Sequence, residues 1–344
     1  MNRWAVILAG GVGSRFWPLS TPQRPKQLLP LVDDAPLLVN TVRRLAPAIP
    51  PERMLVITNA SLADSVRTLL PTLPAQNIIA EPRAAGTAPA LTWAALEISR
   101  RDEDTAVMLC VHADWAIGDE DGFRATLEAA AKVAERHAAL VTVGVVPVRP
   151  DPGLGYIQPG ASVDGARRVA RFVEKPDRAA ADRMVRDGYL WNSGIFVWRV
   201  KDFLEEVRAH AREVADGMKS GVAGDIQRFF ASVTPIAVDY AVLERSARVL
   251  VIPGDFGWDD VGTWDALHRV RARDESGNAV AGAVYAVDAT GNVVHAESGN
   301  VVLYGVKDLV VVTRGALVLV TTRDRASDLK SLLERLPHSV RDLS

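Results

Sequence analysis

The stretch WAVILAGGVGSRFWPLS, residues 4–20, joins a run of six apolar residues to a turn with three glycines and an arginine. Four further β-rich runs follow before about residue 146, separated by helical patterns at 36–46, 60–70, 87–100 and 120–136. This alternation predicts βαβ units and a parallel sheet covered on both faces. In the helical pattern at 87–100, Thr87 can be the N-cap, and the predicted buried face consists of Leu91, Ala94, Ala95 and Ile98. Such sheets bind ligands just beyond the C-terminal ends of their strands, so the residues after each strand are the candidates for a site.

Composition and charge indicate an ordinary globular protein. The 344 residues are 48% hydrophobic, which predicts about two domains with a sizeable core. Forty basic and 42 acidic residues leave a net charge of −2, and no long run of one sign indicates a nucleic-acid or membrane-surface partner. The apolar run before Gly10 is too short for a signal peptide, and no stretch resembles a membrane span. We therefore expect a cytoplasmic protein with small-molecule ligands, no nucleic acid and no membrane.

Several kinds of chemistry are disfavoured by the residue types. Cys110 is the only cysteine, so the sequence allows no internal disulfide and no zinc site built from cysteines. Its place in the apolar run AVMLCV predicts a packed core thiol rather than a nucleophile. The six histidines show no metal-binding spacing, and no G-x-S-x-G elbow occurs.

The character of the chain changes twice after the βαβ part. Residues 147–270 mix strand runs with several helices, which predicts a continuation of the same domain that closes over the sheet edge. After ARDESGN, short valine-rich runs are punctuated by Gly-Asn steps at 277, 291 and 299, which is turn chemistry. We predict an α/β domain over residues 1–272 and a small β-rich domain over 273–344, closed by a helix at roughly 325–336.

The opening glycine-rich turn matches neither standard phosphate-loop pattern. No Gly-Lys pair occurs in the chain, which excludes a Walker loop, and Phe16 stands where a dinucleotide fingerprint needs its last glycine. Arg15 lies in the turn, and PQRPKQLLP adds Arg24 and Lys26 on a segment stiffened by prolines. Converging cations on a glycine turn favour a polyphosphate ligand. A tight turn with solvated basic residues is the alternative.

Two other motifs contain aspartates that could bind a metal ion. Asp114 in CVHADWAI is placed where a carboxylate can hold Mg²⁺, which typically binds one or two carboxylates together with substrate phosphates. Asp259 and Asp260 in GWDDVGTW offer a second carboxylate. Each aspartate alone is more often a turn or helix cap. His112 could be a ligand or a base, although a structural histidine at a strand end is the simpler interpretation.

Polar side chains near two later strands suit a sugar phosphate. Glu174 and Lys175 in RFVEKP end a strand, and a lysine is a point-charge partner for a phosphate monoester. Asn192 and Ser193 in YLWNSGIFVW could donate hydrogen bonds to sugar hydroxyls. Solvated surface and a β-turn entering a strand are the simpler alternatives.

Taken together, these motifs resemble the sugar-1-phosphate nucleotidyltransferase family, and most closely its members that use GTP and mannose 1-phosphate. Over about residues 5–264, the pieces that carry the resemblance are LAGGVGSRFWPLS, RPKQLLPL, EPRAAGTAPAL, GYIQPG, RFVEKP, WNSGIFVW, DYAVLER and GWDDVGTW. The resemblance implies a Rossmann-like, mostly parallel sheet for the catalytic domain at 1–272, followed by the small β-rich domain. It also implies transfer of GMP from GTP to mannose 1-phosphate, giving GDP-mannose and pyrophosphate.

The resemblance also implies roles on the phosphate side. Arg15 would contact the outgoing β- and γ-phosphates, and Lys26 the α-phosphate. Asp114 and Asp260 would hold Mg²⁺. The triphosphate would lie on the backbone of the glycine-rich loop, at Leu8, Gly10, Gly11 and Gly13.

Other motifs are implied to read the base and the sugar. Glu81, Pro82 and Thr87 fall in the segment that reads the purine in this family. The sugar and its phosphate would be bound by Gly155, Glu174, Lys175 and Asn192. A homodimer is possible.

The first carboxylate motif departs from the family pattern, because HADW has His112 and Trp115 where the family has other residues. Two rival functions stay open, the first because residue types do not fix the orientation of a sugar hydroxyl and the second because of this changed motif. One is the same chemistry with another nucleoside triphosphate and sugar 1-phosphate, and the other is a non-catalytic sensor of nucleotide sugars. The chain also ends without the isomerase domain of longer relatives, so we expect no phosphomannose isomerase activity.

Overall fold

The computed structural model describes residues 2–11 and 14–341. These residues cluster into two compact bodies. The first body takes in residues up to 10, then 42–113 and 119–257; the second takes in 11–41, 114–118 and 258 onwards. The predicted boundary between residues 272 and 273 stays a prediction about the domains of the chain.

Strands form two sheets within the described residues. The first body contains β1 (Arg3–Leu8), β2 (Met54–Asn59), β3 (Ile78–Glu81), β4 (Val107–His112), β5 (Leu140–Val145), β6 (Tyr156–Val163), β7 (Ala166–Val173), β8 (Leu190–Arg199) and β9 (Val249–Gly254). The second body contains β10 (Ala279–Val287), β11 (Val293–Tyr304), β12 (Leu309–Arg314) and β13 (Leu317–Thr322).

Helices connect these strands. In the described chain they are α1 (Leu37–Leu45), α2 (Ala63–Leu69), α3 (Thr87–Arg101), α4 (Glu120–His137), α5 (Arg178–Arg186), α6 (Val200–His210), α7 (Arg212–Ala215), α8 (Met218–Val222), α9 (Ile226–Ser232), α10 (Ala266–Val270), α11 (Leu329–Arg335) and α12 (His338–Arg341). None of these helices is long and apolar enough to cross a membrane.

The sheet of the first body has the strand order β3-β2-β1-β4-β8-β5-β9-β7-β6. Pairing is parallel from β3 to β4 and between β5 and β9, so the predicted βαβ units and the mostly parallel sheet are confirmed. β8 runs antiparallel between β4 and β5. The predicted closure over the sheet edge was therefore wrong for β8. Its Ile195–Trp198 segment is buried on both faces, and a continuous apolar run of this kind belongs in the middle of a sheet.

The core of the first body lies around α3 and the strands it covers. The predicted buried face of α3 is confirmed, since Leu91, Ala94, Ala95 and Ile98 are buried. Cys110 is also buried in this core, as predicted, and burial raises the pKa of its thiol well above the ordinary value. Residues of β1, β3 and β4 pack in the same core, and Glu81 is the last residue of β3.

The sheet of the second body pairs β10, β11 and β12 in parallel and β12 with β13 in antiparallel fashion. The predicted β-rich C-terminal part and its closing helix are confirmed. Gly277 and Gly291 have φ values of +75° and +67° and lie outside the strands, so these two Gly-Asn steps are turns as predicted. Gly299, with φ of +72°, lies inside β11, so the prediction of a turn there was wrong: β11 bulges against β10 at this point and continues. The segment after the glycine-rich turn packs into this core, where the Phe16 and Trp264 rings meet edge to face at 5.1 Å.

Two fully buried asparagines cross-link the turns of the second body. The Asn292 Nδ2 donates to Asn278 Oδ1 at 2.8 Å, and the Asn292 Oδ1 accepts from the Leu309 backbone N at 2.9 Å. The Asn278 Nδ2 donates to the Ala289 carbonyl at 2.8 Å. Each amide therefore satisfies backbone groups that no water can reach.

We expect Asn292→Ala to lower the free energy of unfolding by about 2 kcal/mol or more, because it leaves the buried Leu309 N–H without its acceptor. Urea unfolding followed by circular dichroism measures the change. Asn300→Ala is the matched control, because Asn300 is exposed in β11, the strand that begins directly after Asn292. Equal losses in the two variants would contradict the role given to the buried amide.

Candidate active site

A buried lysine joins two carboxylate-bearing segments in the second body. Lys26 begins the short turn Lys26–Leu28 directly after Pro25, and its side chain is only 7% exposed. The Nζ atom donates to the Asp260 backbone O at 2.7 Å and to Asp114 Oδ2 at 3.0 Å. These partners lie 88 and 234 positions away in the chain. The ammonium therefore brings together residues whose spacing in the sequence could not show proximity.

The glycine-rich turn is held by the residue after that lysine. Gln27 is 2% exposed, and its Nε2 donates to the Gly11 backbone O at 2.9 Å. Leu8 ends β1 in the first body and is buried. Gly13 lies outside the described residues. Sequence reasoning missed Gln27. Its position next to Lys26 in RPKQLLP was the signal that it could also contact the glycine-rich turn.

The two neighbouring aspartates of GWDDVGTW have different partners. Asp259 is 6% exposed and accepts a bidentate pair from Arg269, with Nε to Oδ2 at 2.8 Å and Nη2 to Oδ1 at 3.1 Å. The Asp259 Oδ1 also accepts from the Val261 backbone N at 2.9 Å. Asp259 therefore acts as the turn cap that was one of its predicted alternatives, and Asp260 is the candidate for a ligand.

Asp260 lies beside Arg15. A Cβ atom built at Gly262 would overlap Asp260 Oδ2 and would lie 3.5 Å from an Arg15 Nη1 atom. The carboxylate thus folds back over Gly262 toward the guanidinium, and only glycine leaves room for it. Arg15, Lys26, Asp114 and Asp260 are consequently close together in the second body.

The segments carrying Asp114 and Asp260 are tied through their backbones. The Ala116 N donates to the Asp259 O at 3.0 Å, and the Asp259 N donates to the Ala116 O at 3.1 Å. The Trp115 and Trp258 rings pack edge to face at 6.1 Å beside this bridge. Trp115, which departs from the family pattern, is therefore a packing partner of the turn that precedes Asp260.

In the first body, Glu81 ends β3 and lies against Gly10. Its carboxyl is only 3.4 Å from where a Gly10 Cβ would be, and the residue is 8% exposed. Burial raises the pKa of Glu81 from its ordinary value of 4.5 to about 7. A buried carboxyl that ionises near neutral pH is a common sign of a binding site.

The segment that follows Glu81 is fixed by its backbone. The Ile236 N donates to the Ala85 O at 3.0 Å, and a side chain at Gly86 would clash with the Ile236 carbonyl. α3 is capped by Gly86, so the prediction of Thr87 as the N-cap was wrong. The Thr87 Oγ1 instead accepts from the Val238 N at 2.9 Å, because the close approach at Gly86 turns the hydroxyl toward that neighbouring segment. Pro82 lies on the same fixed loop.

Polar groups from three strand ends meet in the first body. The Asn192 N donates to the Gly155 O at 2.8 Å, and a Cβ at Gly155 would be 2.7 Å from Glu174 Oε2. The Asn192 Nδ2 donates to Asp239 Oδ1 at 2.7 Å. Burial raises the pKa of Asp239. Sequence reasoning missed Asp239, whose only signal was its place in DYAVLER.

Lys175 and Ser193 have different settings. The Lys175 Nζ lies 2.6 Å from Glu174 Oε1, and this hydrogen bond raises the pKa of Lys175. Lys175 has φ of +44°, which turns the chain sharply at the end of β7. Asn192 and Ser193 lie inside β8 rather than in a turn before it, and the Ser193 hydroxyl donates to the Val143 carbonyl at 2.6 Å. Ser193 thus has a structural partner, and Asn192 belongs to the polar cluster.

Comparisons with known proteins place these features in context. A sequence model of the family described as nucleotidyl transferase matches residues 4–277, and one described as a MannoseP isomerase/GMP-like beta-helix domain matches 282–336. A mannose-1-phosphate guanylyltransferase of Escherichia coli K12 is 39% identical over 97% of this chain and 73% of that protein. The alginate biosynthesis protein AlgA of Pseudomonas aeruginosa is 36% identical over 96% and 71%.

Solved structures show the same likeness. A Thermus thermophilus protein described as a mannose-1-phosphate geranyltransferase superposes with a TM-score of 0.90 and 36% identity, over 97% of this chain and 99% of that chain. A UDP-glucose pyrophosphorylase complexed with UDP-glucose superposes with a TM-score of 0.53 at 16% identity, over 78% and 96%. The second likeness concerns the fold alone. The predicted α/β fold class is confirmed.

The pKa of Glu81 predicts a pH dependence of stability. The pKa is about 7 in the folded protein and 4.5 ordinarily, so the folded protein binds the Glu81 proton more tightly than the unfolded chain does. The contribution of this group to the free energy of unfolding is therefore highest below pH 4.5, where both states are protonated, and falls as pH rises to 7. Glu81→Gln should therefore be more stable than the wild type at pH 8, by up to about 3 kcal/mol, and equal to it near pH 4.5. Urea unfolding at several pH values measures this difference. A constant difference across the pH range would contradict the raised pKa.

Proposed function

Because this chain belongs to the nucleotidyl transferase family, we propose that it transfers GMP from GTP to α-D-mannose 1-phosphate, giving GDP-mannose and pyrophosphate. The observation that carries the proposal is the buried Lys26 ammonium, which joins the Asp114 carboxylate to the Asp260 backbone. Relatives at 36–39% identity, among them a mannose-1-phosphate guanylyltransferase, support the choice of substrates.

The reaction needs positioning and charge neutralisation rather than a base. The sugar phosphate is already ionised at neutral pH, so one of its oxygens can attack the α-phosphorus directly. The new O–P bond forms as the bond from the α-phosphorus to the bridging oxygen breaks, and pyrophosphate leaves with the electron pair. Lys26 neutralises charge on the α-phosphate, and Arg15 contacts the β- and γ-phosphates. The binding of the triphosphate by the backbone at Leu8, Gly10, Gly11 and Gly13 stays a prediction.

Asp114 and Asp260 have the donor chemistry that Mg²⁺ prefers. Both offer carboxylate oxygens, and Asp114 is 37% exposed, so a hydrated ion can reach it. When bound, Mg²⁺ would neutralise part of the triphosphate charge. The Lys26 ammonium orients the Asp114 carboxylate through its contact with Oδ2.

Glu81 is suited to recognise guanine. Guanine presents two adjacent donors, the N1–H and the exocyclic amine, and a carboxylate offers two adjacent acceptor oxygens. Adenine presents an acceptor at N1 and therefore cannot make this pair. The loop with Pro82 and Thr87 is fixed by backbone hydrogen bonds, so it can hold the base in one orientation.

The polar cluster of the first body is suited to a sugar phosphate. Glu174, Asn192 and Asp239 supply acceptors and donors for hydroxyl groups around Gly155. Lys175 supplies a positive charge for the phosphate. This cluster supports mannose 1-phosphate as a hydroxyl-rich, dianionic substrate. A homodimer and a cytoplasmic location stay predictions.

A Mg²⁺-dependent assay of pyrophosphate release tests the reaction. GTP, ATP, UTP and dTTP are each combined with mannose, glucose and fucose 1-phosphates, and we expect release to be fastest for GTP with mannose 1-phosphate. A faster reaction with another pair would assign a different nucleotidyltransferase activity. Tight binding of GDP-mannose without pyrophosphate release would identify a sensor.

Lys26→Ala is expected to lower kcat at saturating GTP by at least about tenfold, because the charge on the α-phosphate loses its neutralising partner. Single-turnover assays of pyrophosphate release measure the effect. Lys132→Ala is the matched control, since the Lys132 side chain is 66% exposed on α4. Near-normal turnover of the Lys26 variant would remove this lysine from the reaction.

Glu81→Gln is expected to reduce the preference for GTP over ATP, expressed as the ratio of kcat/KM values, by about tenfold or more. The amide keeps the shape of the side chain but replaces one acceptor oxygen with a donor. Glu275→Gln, at an exposed position, serves as the control. An unchanged ratio would show that another group reads the base.

A further inference from the structure

The turn between Trp258 and Gly262 contains a strained residue. Val261 has φ of +46°, in the left-handed region that a β-branched side chain rarely adopts. Its side chain is fully buried among apolar residues of the second body. Such a conformation persists only where the surroundings determine it, and strain of this kind is concentrated at functional sites.

The Asp259 carboxylate is one group that determines it. Asp259 Oδ1 accepts from the Val261 N at 2.9 Å, and the Arg269 guanidinium grips both carboxylate oxygens at 2.8 and 3.1 Å. A bidentate guanidinium–carboxylate pair fixes orientation as well as distance. The Arg269 guanidinium thus fixes the Asp259 carboxylate in the position from which it accepts the hydrogen bond of the Val261 N–H.

The positive φ at Val261 decides where its neighbours point. Val261 lies between Asp260 and Gly262, and the Asp260 carboxylate folds over Gly262 beside Arg15. The Asp260 carbonyl meanwhile accepts from Lys26 at 2.7 Å. The backbone of Asp259 is also bridged to Ala116, two residues after Asp114. Asp259 therefore lies where the two carboxylate-bearing segments are joined.

We infer that Asp259 and Arg269 are a positioning pair, which holds the strained Val261 turn and thereby aims the Asp260 carboxylate at the metal-bound triphosphate. The inference rests on the proposed function for the role of Asp260. In this role the pair acts through the turn and not by touching substrate or metal. Because in-line transfer depends on placement to within about 1 Å, an error in this turn reaches the reaction without unfolding the protein.

The test compares Asp259→Ala with Asp265→Ala. Asp265 also approaches Arg269, at 3.4 Å, and accepts from Arg323 Nε at 2.7 Å, but its carboxylate has no hydrogen bond to the backbone of the described residues 258–262. Mn²⁺ binding in the presence of GTP and without sugar phosphate, followed by the electron paramagnetic resonance of free Mn²⁺, is a readout that needs no turnover. We expect Asp259→Ala to weaken Mn²⁺ binding and to lower kcat by about tenfold each, with the KM for mannose 1-phosphate within about twofold. Asp265→Ala should behave as the wild type.

A rescue separates positioning from simple stabilisation. Glycine adopts a positive φ without an anchor, so Val261→Gly added to Asp259→Ala should recover part of the Mn²⁺ affinity and kcat while lowering the melting temperature further. If Asp259 only stabilised the fold, the loss of the buried valine side chain would make both worse. Should Asp259→Ala not fold, Asp259→Asn replaces it, with an expected loss of Mn²⁺ affinity of at least about threefold.

Unchanged Mn²⁺ affinity in the Asp259 variant, an equal loss in Asp265→Ala, or no recovery with Val261→Gly would each overturn the positioning role. Failure of the proposed function has a different signature. A wild-type protein that binds Mn²⁺ with GTP but releases no pyrophosphate would overturn the reaction, while the Mn²⁺ affinities of the variants would still decide the role of the pair.

Discussion

One buried ammonium contacts two segments that are distant in the chain, and the arrangement of Asp114 and Asp260 depends on this contact. Lys26 is 7% exposed and donates both to the Asp114 carboxylate and to the Asp260 carbonyl. A buried charge is tolerated only when it is paired and hydrogen-bonded, so this lysine requires both segments to stay in place. Gln27 extends the same constraint to Gly11. The residues proposed to contact the phosphates are thus held in place by the lysine proposed to neutralise phosphate charge.

The hydrophobic pattern of the sequence was enough to predict most of the fold. The βαβ alternation, the buried face of α3 and the β-rich C-terminal part follow from local periodicity and turn residues, and they are confirmed. The place of β8 could not be predicted, because an apolar run indicates a buried strand but not which strands flank it. The cap of α3 depended on a backbone approach from Ile236, which is a tertiary contact.

The candidate site was less predictable than the fold. Single residues such as Lys26 and Asp114 were found because their types suit phosphate and metal, yet their proximity comes from packing alone. The residue types left Asp259 and Asp260 equivalent and only the family resemblance pointed to Asp260; the partner of Asp259 at Arg269, ten residues further along the chain, gives Asp259 a structural role. Gln27 holds the glycine-rich turn at Gly11, and Asp239 completes the polar cluster through its contact with Asn192; both roles depend on contacts that the sequence does not show. Sequence types therefore predict the chemistry of a site better than its supporting contacts.

The central, antiparallel position of β8 also has a consequence for synthesis on the ribosome. β5 is complete at residue 145, but β8, which separates it from β4, ends at residue 199 and is made later. A nascent chain that has emerged to residue 145 lacks the strand that separates β4 from β5. One edge of β4 therefore stays unpaired until β8 has been synthesised. Exposed strand edges of this kind promote association, and pausing or truncation in this interval would leave the chain dependent on chaperones.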